Sequence, residues 1–157
     1  MKAIAPFEIK KKAEELSSPF DYKMKETAII LAAGHGKRIK SQKSKMLHSI
    51  WGIPTVERVC NACKIDSIGT NTIIVVGIKA LDVMNVIGKR EKTIFAYQQE
   101  QKGTGHAVQI ALLNIDDKKY DGIVYVFPGD MGLLNKETVE IFRNEFAKSK
   151  SDMMVLT

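Results

Sequence analysis

The chain has 157 residues, 45% hydrophobic and 27% charged, with a formal net charge of +6, a composition ordinary for one globular domain with a buried core. No run approaches the roughly 18 apolar residues of a membrane span. Glu8 and Lys10 to Lys12 interrupt the N-terminus before an export signal can form, so the expected location is cytoplasmic. The basicity is local: Lys37, Arg38, Lys40, Lys43 and Lys45 crowd residues 34–48 with no carboxylate among them. Such a patch fits a phosphate-bearing small molecule better than the broad basic surface that duplex nucleic acid requires, and neither nucleic acid nor a membrane is expected as a partner.

Residues 1–26 carry six lysines and five carboxylates and read as an N-terminal extension, packed on the domain or projecting from it. A short helix is expected around "EIKKKAEEL", stopped by Pro19. The domain proper is assigned to residues 27–157. "TAIILAA" is a continuous apolar run, the signature of a strand buried on both faces. After the basic loop, Pro54 opens a helix whose Val56, Val59, Cys60 and Cys63 form an apolar stripe. "NTIIVVG" is a second buried strand, "KALDVMNVIG" a helix closed by Gly88, and "TIFAY" a third strand. "GTGHAVQIALLNI" turns into a helix, and "GIVYVF" is a fourth strand ending in "PGD". Asn135 is a good N-cap for "KETVEIFRNEFAK", and "DMMVLT" reads as a fifth strand.

Strands alternating with helices predict an α/β fold, a Rossmann-like three-layer α/β/α sandwich with a mostly parallel sheet. In such sheets ligands bind beyond the C-terminal ends of the strands. Three polar stretches fall there: "GHGKRIKSQKSK" after the first strand, "QQEQKGTGH" after the third and "PGD" after the fourth. Glycines after a first strand let backbone N–H groups approach anionic oxygens without an intervening Cβ. Two common phosphate loops are excluded. The dinucleotide fingerprint needs glycine at Ile39, and the P-loop needs glycine at Leu31 and a hydroxyl at Arg38. In the pattern that remains, Arg38 can grip two phosphate oxygens through its planar fork, and Lys45 can reach another as a point charge. Lys40 and Lys43 read as solvated charge. Cys60 and Cys63 have no second ligand pair and read as core packing. Taken alone, Asp130 is an ordinary turn cap.

The stretches "IILAAGHGKRIKSQKSKMLHSIWGIP", "QQEQKGTGHAV" and "PGDMGLL" resemble the uridylyltransferase domain of the bacterial UDP-N-acetylglucosamine pyrophosphorylases, within the sugar nucleotidyltransferase family. The resemblance runs from about Ala28 to the end. It implies a nucleotide-diphospho-sugar transferase fold and Mg²⁺-dependent transfer of UMP from UTP to N-acetylglucosamine 1-phosphate, releasing pyrophosphate. By resemblance, Leu31, Ala32, Ala33, Gly34 and Gly36 cradle the nucleotide through backbone atoms. Arg38 holds the leaving pyrophosphate and Lys45 bridges the phosphates of the two substrates. Gln98 and Gln101 flank the uracil, Gly103 contacts the base, Thr104 fixes the loop and nucleoside, and Asp130 holds Mg²⁺.

The chain departs from the family pattern at several points. Lys37 replaces a small hydroxyl residue, Ser44 replaces a proline, and Gly132 replaces the proline after "GD". The last two predict a looser backbone beside Lys45 and Asp130. Trp51 reads as a turn anchor beneath the nucleotide loop, and His106 as a residue that orients its loop. The resemblance further implies that the family's C-terminal part is missing here, to be supplied by a further half or by oligomerisation. Two other readings remain open: a UTP- or UDP-sugar-binding module without turnover, and a transferase using another nucleotide or sugar phosphate.

Overall fold

The computed structural model describes residues 5–34, 44–64 and 69–156. In chain order the first elements are α1 (Pro6–Leu16), β1 (Glu26–Ala32), β2 (Ser49–Ile50), β3 (Ile53–Pro54) and α2 (Thr55–Ala62). They are followed by β4 (Asn71–Val76), α3 (Ala80–Ile87), β5 (Thr93–Tyr97), α4 (Thr104–Leu112), β6 (Ile123–Pro128) and α5 (Lys136–Ser149). A 3₁₀ turn, Lys45–Leu47, precedes the β2–β3 hairpin. The main sheet has the order β5-β4-β1-β6, and every neighbouring pair in it is parallel.

The continuous apolar runs follow from this placement, because β1 and β4 are the inner strands and have helices over both faces. Ala28, Ile30 and Ala32 join the larger core with residues of α1, α2, α3 and α5. The alternate residues Ile29 and Ala33 join a smaller core with Ala107 and Ala111 of α4. Ile29, Ile30, Ile73 and Ile74 are fully buried, each contributing about 1.5–3 kcal/mol by burial. Three layers result, with α4 covering one face and the other helices the opposite face.

Local signals hold at several ends. Pro6 begins α1, Asn135 Oδ1 accepts from Thr138 N at 2.8 Å, and Gly88 ends α3 with φ 66°. The two sheet edges differ. At β5, Ser18 N donates to Thr93 O at 2.8 Å and Phe95 N donates to Ser17 Oγ at 2.9 Å. The buried Asn71 exchanges hydrogen bonds with the Asp21 backbone, so residues 17–21 are laced to the sheet. At β6, Val124 and Val126 remain exposed beside an apolar groove of about 600 Å³.

The expected fifth strand does not form. Residues 151–156 have no regular structure, and Met153, Val155 and Leu156 stay exposed along the groove beside β6. An apolar run becomes a strand only when its N–H and C=O groups enter a ladder, and this one pairs with no strand among the described residues.

Candidate functional site

The C-terminal ends of the four parallel strands surround a cleft of about 360 Å³. β1 contributes Leu31 and leads into Ala33 and Gly34, and β6 ends in Pro128 and leads into Asp130. The 3₁₀ turn adds Lys45 and Met46, β5 is followed by Gln98, and the next loop brings Gln101, Gly103 and Thr104. Most of the residues singled out in the sequence therefore meet in one place. Ala32 does not line the cleft; it is buried in the larger core. Gly36 and Arg38, with His35, Lys37, Lys40 and Lys43, lie outside the described residues.

On one side the cleft is lined by amides. Gln98 is 2% exposed, and its Nε2 donates to Gly103 O at 3.2 Å. A carbonyl can only accept, so this contact fixes which end of the Gln98 amide is nitrogen. The same nitrogen lies 3.0 Å from His106 Nδ1, which must then be the acceptor. Gln101 Nε2 donates to Gln98 O at 3.0 Å. Gly103 has φ 99°, a conformation glycine adopts without strain, and it opens α4 here. Gly77 also matters: a β-carbon there would lie 2.5 Å from Gln101 Nε2 and 2.6 Å from Ala33 O. Its absence lets the end of β4 close against the end of β1.

On the other side the cleft carries charge. Lys45 Nζ and Asp130 Oδ2 form an ion pair, their side chains 31% and 34% exposed. Ser44, which stands where the resemblance expects proline, does not leave a loose turn. It is buried, its Oγ accepts from Met46 N at 3.4 Å, and its carbonyl accepts from Leu47 N at 2.9 Å. Gly132 likewise does not loosen its segment. A β-carbon there would lie 2.7 Å from both Thr55 Cγ2 and Ile50 Cδ1, so glycine permits a close approach. Trp51 is expected from the sequence to anchor a turn beneath the nucleotide loop, and residues 35–43 of that loop lie outside the described residues. It sits 81% exposed at the tip of the β2–β3 hairpin, where its φ of 51° and the 80° of Gly52 make the two-residue turn. Arg58 lies 5.1 Å from its ring centroid.

The two cysteines face the core from α2. Burial pushes the Cys60 thiol up to about 12, and burial also raises Cys63. No group of three or more His, Cys, Asp or Glu is placed to hold a metal among the described residues. No helix among them is long and apolar enough to cross a membrane. Met46, Ala107 and Pro128 also line the cleft from within the motif stretches, and Ile78 lines it with no sequence signal beyond hydrophobicity. Gly77 did carry one, as the glycine that ends a buried strand.

The pattern of the MobA-like NTP transferase domain family matches residues 28–157. The chain is 40% identical over 130 residues to the bifunctional protein GlmU of Acetivibrio thermocellus, covering 83% of this chain and 27% of that protein. It is 39% identical over 144 residues to GlmU of Clostridium beijerinckii, covering 85% and 29%. GlmU of Exiguobacterium sp. AT1b matches with 40% identity over 135 residues, covering 85% and 29%. The chain thus spans less than a third of the length of these relatives. Among solved structures, Rv0371c from Mycobacterium tuberculosis H37Rv matches with a TM-score of 0.57 and 16% identity, covering 78% of this chain and 60% of that one. That likeness is one of fold.

Proposed function

Since the chain belongs to the MobA-like NTP transferase domain family, we propose that its cleft binds UTP and serves transfer of UMP to N-acetylglucosamine 1-phosphate, with release of pyrophosphate. The observation that carries this reading is the division of the cleft, at the C-terminal ends of the strands, into an amide side and a charged side. The amide side suits uracil. With Gln98 Nε2 already donating to Gly103 O and facing His106 Nδ1, Oε1 is the remaining polar atom of that side chain, an acceptor. Uracil offers an N3–H donor there, whereas N3 of cytosine is itself an acceptor, and the mismatch would leave buried polar groups unpaired. The bifunctional proteins named GlmU that match this chain lend support to the reaction through their 39–40% identity.

The charged side suits phosphoryl transfer. The sugar phosphate is anionic at neutral pH, so its oxygen can attack the α-phosphorus without a protein nucleophile. Positioning and charge neutralisation then supply most of the acceleration. Lys45 leaves the Asp130 carboxylate for a phosphate oxygen, and Arg38 takes charge on the departing pyrophosphate. Asp130 is the one carboxylate among the described cleft-lining residues. A lone carboxylate fits Mg²⁺, which keeps several waters and shares its ligands with phosphates instead of requiring a full protein cage. Asp130 would hold that ion, which supplies charge neutralisation at the triphosphate when bound.

Titration calorimetry with UTP, CTP and ATP, with and without Mg²⁺, tests the reading. Mg²⁺-dependent binding of UTP in preference to the other two, lost in Arg38→Ala, is the expected result. Pyrophosphate release with N-acetylglucosamine 1-phosphate then separates transfer from simple binding. No affinity for any of the three nucleotides would overturn the proposal.

A further inference from the structure

The first turn of α2 ties the loop carrying Lys45 to the loop carrying Asp130. Thr55 Oγ1 lies 3.0 Å from Met46 O and 3.2 Å from Lys45 O, so its hydroxyl donates to the carbonyls of the 3₁₀ turn. Thr55 N donates to His48 O at 2.9 Å, where the same stretch leaves that turn. Three residues further on, Arg58 Nε donates to Gly132 O at 2.6 Å, two positions past Asp130. The Arg58 guanidinium is itself steadied over the exposed ring of Trp51 at 5.1 Å. The methyl group of Thr55 fills the remaining gap, since a β-carbon on Gly132 would lie 2.7 Å from it. One helical turn thus grips both loops by their main chains, and the charged ends of Lys45 and Asp130 meet in the cleft above.

Neither Thr55 nor Arg58 lines the cleft. From this geometry we infer that both are positioning residues, which together set the spacing of Lys45 and Asp130 and with it the affinity of the charged side for a Mg²⁺-bound nucleoside triphosphate. The identity of the ligand rests on the proposed function; the coupling of the two loops does not. The chemical reason is distance: misplacing a reacting or charge-neutralising group by about 1 Å can cost on the order of a hundredfold in rate. The absence of a side chain at Gly132 belongs to the same device. It admits Thr55 at a contact that any other residue would push apart, and Thr55 is the residue that holds the Lys45 turn.

The test is a rescue. Gly132→Ala places a methyl group 2.7 Å from both Thr55 Cγ2 and Ile50 Cδ1. It is expected to weaken binding of Mg²⁺·UTP about tenfold, within the range for coupled neighbours. Thr55→Ser keeps the hydroxyl and removes Cγ2. Combined with Ile50→Val, which removes the other atom that the new methyl group meets, it should restore the affinity of Gly132→Ala to within about threefold. Amide hydrogen exchange supplies a readout that needs no ligand. Gly132→Ala should speed exchange at Leu47 and His48, whose amides donate to Ser44 O and Lys45 O, and Thr55→Ser together with Ile50→Val should reverse this. Arg58→Lys, which keeps the charge but loses Nε, should speed exchange at Gly132 and Leu134. Unchanged exchange at Leu47 and His48 in Gly132→Ala, or failure of Thr55→Ser with Ile50→Val to rescue it, would overturn the inference whether or not UTP binds. Coupled exchange in a parent chain that binds no nucleotide would uphold the inference about the loops and overturn the functional reading.

Discussion

The two sides of the cleft solve different problems. On the amide side Gln98 is buried and already hydrogen-bonded to protein, so its presenting face is set before any ligand arrives. On the charged side Lys45 and Asp130 neutralise each other at about one-third exposure, and each can be drawn to a new partner at small cost because exposed pairs are weak. Selectivity needs a fixed pattern of donors and acceptors. Charge neutralisation needs groups that can exchange partners.

The largest expected effect falls on the exchangeable side. Lys45→Ala should lower kcat/KM for pyrophosphate release by about 10²–10³-fold, the usual cost of removing one group that stabilises developing charge. The same variant should shift the unfolding free energy by less than about 1 kcal/mol, because the pair it breaks is partly exposed. A loss of stability in place of activity would erase the contrast between the two sides.

A second ion pair sharpens that contrast. Arg143 Nε lies 2.6 Å from Glu26 Oε1, with side-chain exposures of 20% and 7%, and Glu26 Oε2 is buried without a described partner. Arg143→Ala leaves a buried carboxylate and should cost about 3 kcal/mol in urea unfolding, with nucleotide affinity unchanged. Gln98→Leu keeps the volume of the fixed side and removes its acceptor. The preference for UTP over CTP should fall about tenfold, as read by calorimetry on both nucleotides, and losing the donor to Gly103 O and His106 Nδ1 should cost about 1–3 kcal/mol in urea unfolding.

Smaller effects test the scaffold under the amide side. Ser17→Ala removes the acceptor for Phe95 N at the edge of the strand leading to Gln98 and should cost about 1–2 kcal/mol in urea unfolding. The cysteines give the smallest effect below pH 9. Burial holds Cys60 protonated up to about 12 and raises Cys63 as well, whereas an unfolded thiol ionises near 8.5. The unfolded state therefore binds fewer protons from about pH 9 upward, and the urea midpoint should fall as pH rises through that window. Alkylation of the native chain should stay slow throughout it.

Much of the fold was legible because its signals are local. "TAIILAA" and "NTIIVVG" lack polar interruption, which only strands covered on both faces require. Asn135 and Gly88 mark helix ends through contacts within a few residues. The polar loops were legible as a common rim because every strand of a parallel sheet points the same way. The β2–β3 hairpin was harder to see, since each strand has two residues and its only cue is Gly52 after Trp51. "DMMVLT" misled because an apolar run reports what a strand would bury, not whether a neighbour offers it a ladder.

The sequence by itself determined the alternation of apolar runs and helices, the local concentration of positive charge and the glycines that keep backbone accessible. These are properties of short segments and need no knowledge of what lies opposite them. Only the tertiary structure decided that Lys45 pairs with Asp130 across 85 positions and that Gln98 turns its nitrogen toward Gly103 and His106. It also decided that Gly132 is tight and not loose, since Thr55 and Arg58 reach it from a helix more than 70 residues away. Whether a residue without a side chain frees a backbone or lets another group approach depends on what packs against it, and packing is fixed only when distant segments meet.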